Sequence, residues 1–544
     1  MLNWIWAALI VVSFGFAITA DVSDVASDRF RNGAALPVAL PETSGDAPPA
    51  EGDALTVTID AVEFRAFYAA WDEELAELDG PVVALTGTYS QATGEPTLSF
   101  PGEGLPAPLA AMFAHLEEFA DAEALTARVT DSGLEFPPIK LRKMATLADA
   151  AFFWAKYSVL DLALPLIGVL CLWIGIVKIA EDAGLVLALV KLVRPLLGLI
   201  FPQIPKDHPA LGMIALNLAA NVLGLGNAAT PMGLKAMEEL QKLNREKDTA
   251  TDSMCMFLAV NTASVQLVPP ATLVAIMGVG AGLLWLPIIV VTGLSLIIAI
   301  LAAQAYSLVP IWRKTDPMRG DAEAPNGSGF GKVIALLAGI VAGAVGLYFL
   351  LGQVFGVNAE ALQNGSEYVA ILIIPLVLAL VPLYGLFRGV PVYESFVEGA
   401  KEGFDIAKTI IPYAVAILFA IGMFRVSGAF AALKGAIATP FGWVGADPEL
   451  LPMMIARPLT GGGSLGVLAE LEAIHGPDSL ITKTAAVMYG STETTFYVLA
   501  VYFGSVGIKK ARHAVAAGLT ADFAAMLIAV WVCALLLGRT VAGG

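Results

Sequence analysis

From residue 147 to the C-terminus the chain is written in long apolar runs separated by short polar ones. Uninterrupted stretches cover residues 160–179, 283–305, 333–351, 369–386, 410–423 and 514–537, most of them close to the roughly 20 residues that a helix needs to cross a bilayer. Between these lie shorter apolar pieces interrupted by Gly, Pro, Asn and Thr. Such pieces are too broken for simple spanning helices. Unwound backbone at membrane depth is tolerated only where protein or a water-filled cavity covers it, so the broken pieces are where a site is expected.

The N-terminal pattern differs. Residues 2–20 are apolar without a preceding basic cluster, and the run ends on Ile18-Thr19-Ala20, where bulky Ile18 makes a poor signal-cleavage site. It reads as an uncleaved anchor helix spanning residues 1–20. Residues 21–145 then read as an extracytoplasmic insertion. A Pro/Gly-rich linker at 41–52 precedes strand-like runs at 55–59 and 82–89 and a helical spacing at 109–127.

The membrane part repeats itself. At an offset of 247, Pro165 falls on Pro412, Gly175 on Gly422 and Lys178 on Arg425. After small deletions, Gly224-Leu-Gly-Asn-Ala-Ala-Thr-Pro231 meets Thr460-Gly-Gly-Gly-Ser-Leu-Gly466. Asn261-Thr-Ala-Ser264 then meets Ser491-Thr-Glu-Thr494. The charge bias of the two copies is opposite. Copy one carries Lys191, Arg194, Lys206, Lys235, Lys242, Arg245 and Lys247 over 188–247, whereas copy two has only Lys434 and Arg457 over 428–478. By the positive-inside rule the first set of loops faces the cytoplasm and the second faces outside. Lys140, Arg142 and Lys143 run against this path, next to a folded insertion that weakens the rule. The fold class expected is an all-α polytopic membrane protein with two inverted-topology repeats, broken or re-entrant helices and a small α+β extracytoplasmic insertion. Its parts are a first repeat at 146–306, a cytoplasmic linker at 307–332, and a second repeat with two leading helices at 333–544.

Composition agrees with the bilayer as solvent: of 544 residues, 57% are hydrophobic and 15% charged. The net charge of −17 argues against nucleic-acid binding. Three scattered cysteines, and histidines without ligand spacing, indicate neither disulfides nor a metal site, and no cofactor motif appears. No nucleophile–base arrangement is visible, so an enzyme is not expected.

The candidate chemistry sits at the breaks. Asn217, Asn221, Asn227 and Thr230 flank the first, where freed backbone groups and helix dipoles suit a polar solute or ion; the same asparagines also suit simple capping of half-helices. Asn261 and Thr262 belong to a polar cluster on a later helix, which can line one face toward the pseudo-symmetry axis or simply hydrogen-bond neighbouring helices. In copy two, Arg457, Thr460 and Ser464 surround a glycine run, and Ser491, Thr492 and Glu493 form the counterpart of the Asn261 cluster. An arginine in hydrocarbon needs an acid, a carbonyl or an anion. Two readings stand side by side: a static Arg457–Glu493 pair, or a substrate and ion-coupling site in which Glu493 titrates. Lys178 and Asp182, four apart, read as an interfacial pair.

Several of these segments resemble a known family. Lys178-Ile-Ala-Glu-Asp-Ala-Gly184, Lys206-Asp-His-Pro209 and Leu258-Ala-Val-Asn-Thr262 are similar to bacterial spore maturation protein A. Tyr393-Glu-Ser-Phe-Val-Glu-Gly-Ala-Lys-Glu-Gly403, Arg457-Pro-Leu-Thr460 and Gly490-Ser-Thr-Glu-Thr-Thr-Phe-Tyr-Val498 resemble spore maturation protein B. The chain looks like a fusion of the two, with the acidic insertion as a departure from the pattern. The resemblance implies the Gate, or nucleoside recognition, domain shared with nucleoside transporters and the membrane part of ferrous-iron transporters. It names no substrate. The expected function is a secondary, alternating-access transporter or permease in the bacterial inner membrane, for a small polar solute or ion. The alternative is a membrane scaffold presenting residues 21–145 to an envelope partner. The lipid bilayer is the one certain partner, and homo-oligomers are compatible with either.

Overall fold

The computed structural model describes residues 2–39, 49–76, 80–91, 95–120, 122–205, 207–223, 229–264, 266, 269–318 and 359–538. Two compact units emerge, one of Trp4–Phe152 with Gly422–Ala432, the other of Phe153–Ile421 with Leu433–Gly544.

In the first unit, helix α1 (Leu2–Ala26) leads into six strands: β1 (Ala35–Leu36), β2 (Ala54–Asp60), β3 (Val82–Ser90), β4 (Thr97–Phe100), β5 (Leu125–Thr130) and β6 (Gly133–Glu135). They form one antiparallel sheet in the order β1-β6-β5-β4-β3-β2. Alternation decides which face is covered: Val83, Leu85 and Tyr89 of β3 are buried, while the intervening Thr86 and Thr88 are exposed. Helices α2 (Ala61–Phe67) and α3 (Ala107–Ala120) supply Phe64, Leu109 and Met112 to the same core. Gly87 is required here, because a Cβ would stand 2.9 Å from the Phe100 ring.

The helical spacing expected over 109–127 is only partly right. The helix stops at Ala120, and Leu125, Ala127 and Thr126 belong to β5, where apolar and polar residues alternate with period two. The anchor helix also continues six residues beyond the expected end at 20. Its Asp21 carboxylate accepts from the backbone N–H groups of Lys143 (2.8 Å) and Met144 (2.9 Å), at the start of α4 (Arg142–Tyr157). Two bonds of Asn32 to the Ile139 backbone, at 2.8 and 2.9 Å, close the neck of the sheet domain.

The second unit is helical throughout. A π-type turn (Ser158–Ala163) joins α4 to α5 (Leu164–Asp182), giving one apolar run over Arg142–Asp182. There follow α6 (Leu185–Ile200), α7 (Pro209–Val222), α8 (Thr230–Leu243), α9 (Asp252–Ala263), α10 (Ala271–Met277), α11 (Trp285–Leu308), α12 (Pro310–Arg313) and α13 (Ala359–Phe387). The second series is α14 (Val392–Val426), α15 (Ala429–Val444), α16 (Leu451–Leu459), α17 (Gly461–His475), α18 (Leu480–Ser491), α19 (Thr495–Ser505) and α20 (Ala514–Leu536).

The two series correspond element by element. Each has a long helix, a 16-residue helix, two broken helices and a long closing helix. The breaks ahead of Thr230 and at Thr460 fall where the sequence alignment puts them, and two more, after Ala263 and after Ser491, fall at the aligned polar clusters read as helix faces. Packing is reciprocal as well. α9 touches α11 of its own series and α20 of the other, while α18 touches α20 and α11. Likewise α19 meets α8 and α9, and α10 meets α17 and α18.

Close approach of small residues sets the helix crossings, as expected where no hydrophobic gain drives association in lipid. A Cβ on Gly399 of α14 would stand 2.6 Å from the Ile174 carbonyl of α5, and one on Gly403 would stand 2.7 Å from that of Leu170. Among the described residues, five helices are long and apolar enough to cross a membrane. The expected span 410–423 is the end of α14, and that at 333–351, with most of the linker 307–332, lies outside the described residues. The chain is an all-α polytopic membrane protein carrying a small α+β insertion.

Candidate functional site

The four breaks of the second unit are held by their own side chains. Asn217, in the last turns of α7, donates to the Ala229 carbonyl at 2.9 Å, so one side chain bridges the break from α7 to α8. It also donates to the Tyr502 hydroxyl at 3.3 Å. Gly233 makes room for that tyrosine, since a Cβ there would collide with the Tyr502 hydroxyl. Asn221 donates to the Asn261 side-chain oxygen at 3.1 Å, and Asn261 in turn donates to the Phe257 carbonyl at 2.9 Å. In copy two, Thr460 caps α17 by accepting from Gly463 N–H at 3.1 Å. The glycine run is helix, not a phosphate loop, and it lets α17 lie against Tyr413 and Ile417 of α14.

Arg457 is bonded to the chain at the second break of its copy. Its Nε donates to the Thr492 hydroxyl at 3.2 Å, its Nη2 to the Thr492 carbonyl, and the guanidinium stands 4.5 Å from the Tyr489 ring centroid. Among the described residues no ion pair within 4 Å joins it to Glu493, one of the two readings left open; its bond goes to the carbonyl of the neighbouring residue. The carbonyl is freed because α18 ends at Ser491. Glu493 is instead fixed through its backbone, whose N–H donates to the Thr262 carbonyl of copy one at 2.8 Å.

Between these breaks lies a cavity of about 200 Å³. Of the residues singled out in the sequence, Asn221, Thr230, Asn261, Arg457 and Glu493 line it. Asn217, Thr262, Thr460, Ser464 and Thr492 are buried behind the lining, in the supporting bonds, and Ser491 is buried there with its hydroxyl unpartnered among the described residues. Asn227 lies outside the described residues. The N-terminal ends of α8 and α17, at Thr230 and at Gly461 and Gly462, face the same space, which adds positive potential to that of Arg457.

Sequence reasoning missed the aromatic part of the wall: Tyr489, Tyr497 and Tyr502 line it, with Thr272 bonded to the Tyr489 hydroxyl at 2.9 Å. It also missed Asp522. This acid is fully buried in α20, and its Oδ2 accepts from the Thr495 hydroxyl at 2.6 Å while Oδ1 has no partner. The signal was available, since Asp522 is the lone charge in the last apolar run. No cluster of three metal-ligating side chains occurs among the described residues.

Comparison with known proteins adds identity to this geometry. The family described as Gate, nucleoside recognition, matches residues 163–283 and again 407–509, once in each helical series. Spore maturation protein B of Bacillus subtilis (strain 168) is 45% identical over 172 residues, which is 32% of this chain and 97% of that protein. The chain belongs to the spore maturation protein family. Spore maturation protein A of the same organism is 47% identical over 128 residues, 24% of this chain. Of that second relative the chain spans 64%, just under two thirds. No solved structure matches the chain significantly. Matches to both proteins agree with the fusion expected from the motifs, and this spore maturation family member carries its sheet domain as an insertion.

Proposed function

We propose that the protein is a secondary transporter or permease of the bacterial inner membrane for a small polar solute. One observation carries the reading: both copies contribute broken helices to a single cavity that holds Arg457 and Glu493. Discontinuous helices meeting at a shared site are how many secondary transporters bind solute and ion, with access alternating as one repeat rocks on the other. The reciprocal packing of the two series and their opposite charge bias support inverted insertion, with residues 21–145 outside. Glu493 is the proposed coupling group for H⁺ or Na⁺, and no step needs catalysis. The family description suggests nucleoside-like solutes by analogy alone.

The test is alternating access itself. In a variant with a single cysteine at Thr272, membrane-impermeant thiol reagents applied from either face should each label the cavity, and a transported solute should change the two rates in opposite directions. Access from neither face would end the proposal. The sheet domain, with a core of its own, supports a second role as an outward platform for an envelope partner; pull-down of the same partner by wild type, but not by a chain lacking that domain, would establish it.

A further inference from the structure

We infer that the solute is a small zwitterion of the amino-acid class, with its carboxylate on Arg457 and its ammonium group on Glu493. This rests on the cavity being a solute site, and it adds the solute's charge pattern.

Two opposite charges line one cavity without pairing. Arg457 is 3% exposed and tied to Thr492 and Tyr489. Glu493 is tied by its backbone to Thr262. The Arg457 side chain is thereby held to its own wall and Glu493 is fixed through its backbone, and among the described residues no ion pair within 4 Å joins the two. The Thr492 carbonyl answers the full charge of Arg457 with only a partial one, and a charge at membrane depth is expensive unless it meets a complementary group. A neutral solute satisfies neither. An organic anion satisfies Arg457 and leaves Glu493 uncompensated, and an amine does the reverse. A zwitterion completes both at once and enters with no net charge to move into the membrane.

The rest of the wall agrees. The N-terminal ends of α8 and α17 reinforce Arg457 as the anion-binding end. Gln266, Thr272 and the Tyr497 side chain supply hydrogen-bonding capacity for a small polar side group. At about 200 Å³ the space is below the roughly 300–1,000 Å³ typical of drug-sized ligands, which favours a small solute.

The test is binding to the purified full-length protein in detergent, read by calorimetry and melting temperature. The probes are L-alanine and L-serine, L-lactate as the anion of the same skeleton, ethylamine as the cation, and uridine. The amino acids should bind at least about tenfold more tightly than lactate or ethylamine, a difference of roughly 1.4 kcal/mol. Glu493→Gln should bring alanine down to the lactate level, while Glu493→Asp should retain a preference for alanine. Lactate binding as tightly as alanine, or uridine alone binding, would overturn the inference. So would a Glu493→Gln protein that still prefers alanine. Binding without uptake into proteoliposomes would leave the zwitterion site standing and remove the permease reading instead.

Discussion

The Arg457 guanidinium is bonded to the carbonyl and the hydroxyl of Thr492, so the first break of the second copy is tied directly to its second break. Thr492 has no helical partner for its carbonyl, and the arginine satisfies it. Replacing Arg457 by Met should leave that carbonyl buried and unpaired, at a cost of about 2–3 kcal/mol. Thr492→Val keeps the carbonyl bond and should cost only about 1 kcal/mol. Arg457→Lys should fall nearer to Met than to wild type, because an ammonium cannot reach both oxygens with a planar fork. Melting in detergent measures all three, and equal losses for Met and Val would show the carbonyl bond to be immaterial.

Asp522 and Thr495 pose the same question across two helices. Their 2.6 Å bond joins α20 to the first turn of α19, and Gly518, one turn before Asp522, leaves space for Thr495 and Thr262. Asp522→Leu should leave the Thr495 hydroxyl only its longer 3.3 Å bond to Thr262 and lower stability by about 1–2 kcal/mol. Asp522→Asn keeps an acceptor at the same position and should lose less than half of that. Gly518→Val should be worse than Gly518→Ala, since even a Cβ would stand 2.9 Å from Thr495 Cγ2.

Much of this was legible in the sequence, for a physical reason. Membrane burial forces backbone breaks to be marked by Gly, Pro, Asn and Thr, so the glycine-rich segments before Pro231 and after Thr460 located the first break of each copy, whereas the breaks after Ala263 and Ser491 read only as polar clusters on a helix. The Lys178–Asp182 pair, at 3.1 Å, followed from helical spacing alone. What spacing could not supply was which side of a helix faces the cavity. Asn221 lines it and Asn217, four residues earlier, does not, because Asn217 turns to bridge Ala229 and Tyr502. The tyrosines were missed because an aromatic residue in an apolar run has no polar periodicity to betray it. Arg457 was correctly picked as needing a partner, but a backbone carbonyl leaves no trace in the sequence.

At one end of the helical unit, two buried groups titrate in opposition. Burial, aided by Asp316, pushes the Asp252 carboxyl up to about 6 against the pull of Arg512, whose Nη1 stands 2.8 Å away. Burial and Arg512 pull the His513 imidazole down to about 4. For Asp252 the raised value means stability present below the ordinary 3.8 and lost as pH rises to about 6. For His513 the depressed value means stability present above the ordinary 6.5 and lost as pH falls towards about 4. Between about 4 and 6 the two slopes oppose each other. Relative to wild type, Asp252→Asn should therefore make the melting temperature fall more steeply on acidification. His513→Gln should make it fall more steeply as pH rises through the same window. Parallel pH curves for either variant and wild type would show that its residue does not titrate there.

The Asn32–Ile139 clamp gives a clean way to separate the sheet domain from the membrane unit. Because the Asn32 side chain bonds both the N–H and the carbonyl of Ile139, the two ends of the domain are adjacent, and residues 33–138 can be exchanged for a short Gly-Ser linker. Asp21, Lys143 and Met144 remain, so the cap on α4 is preserved. Such a chain should insert, melt within a few degrees of the intact protein and bind cavity solutes with unchanged affinity. If the sheet domain serves an outer partner, only that association should vanish. Loss of cavity binding together with the domain would mean that the insertion shapes the solute site, and the division of labour argued from the two separate cores would fail.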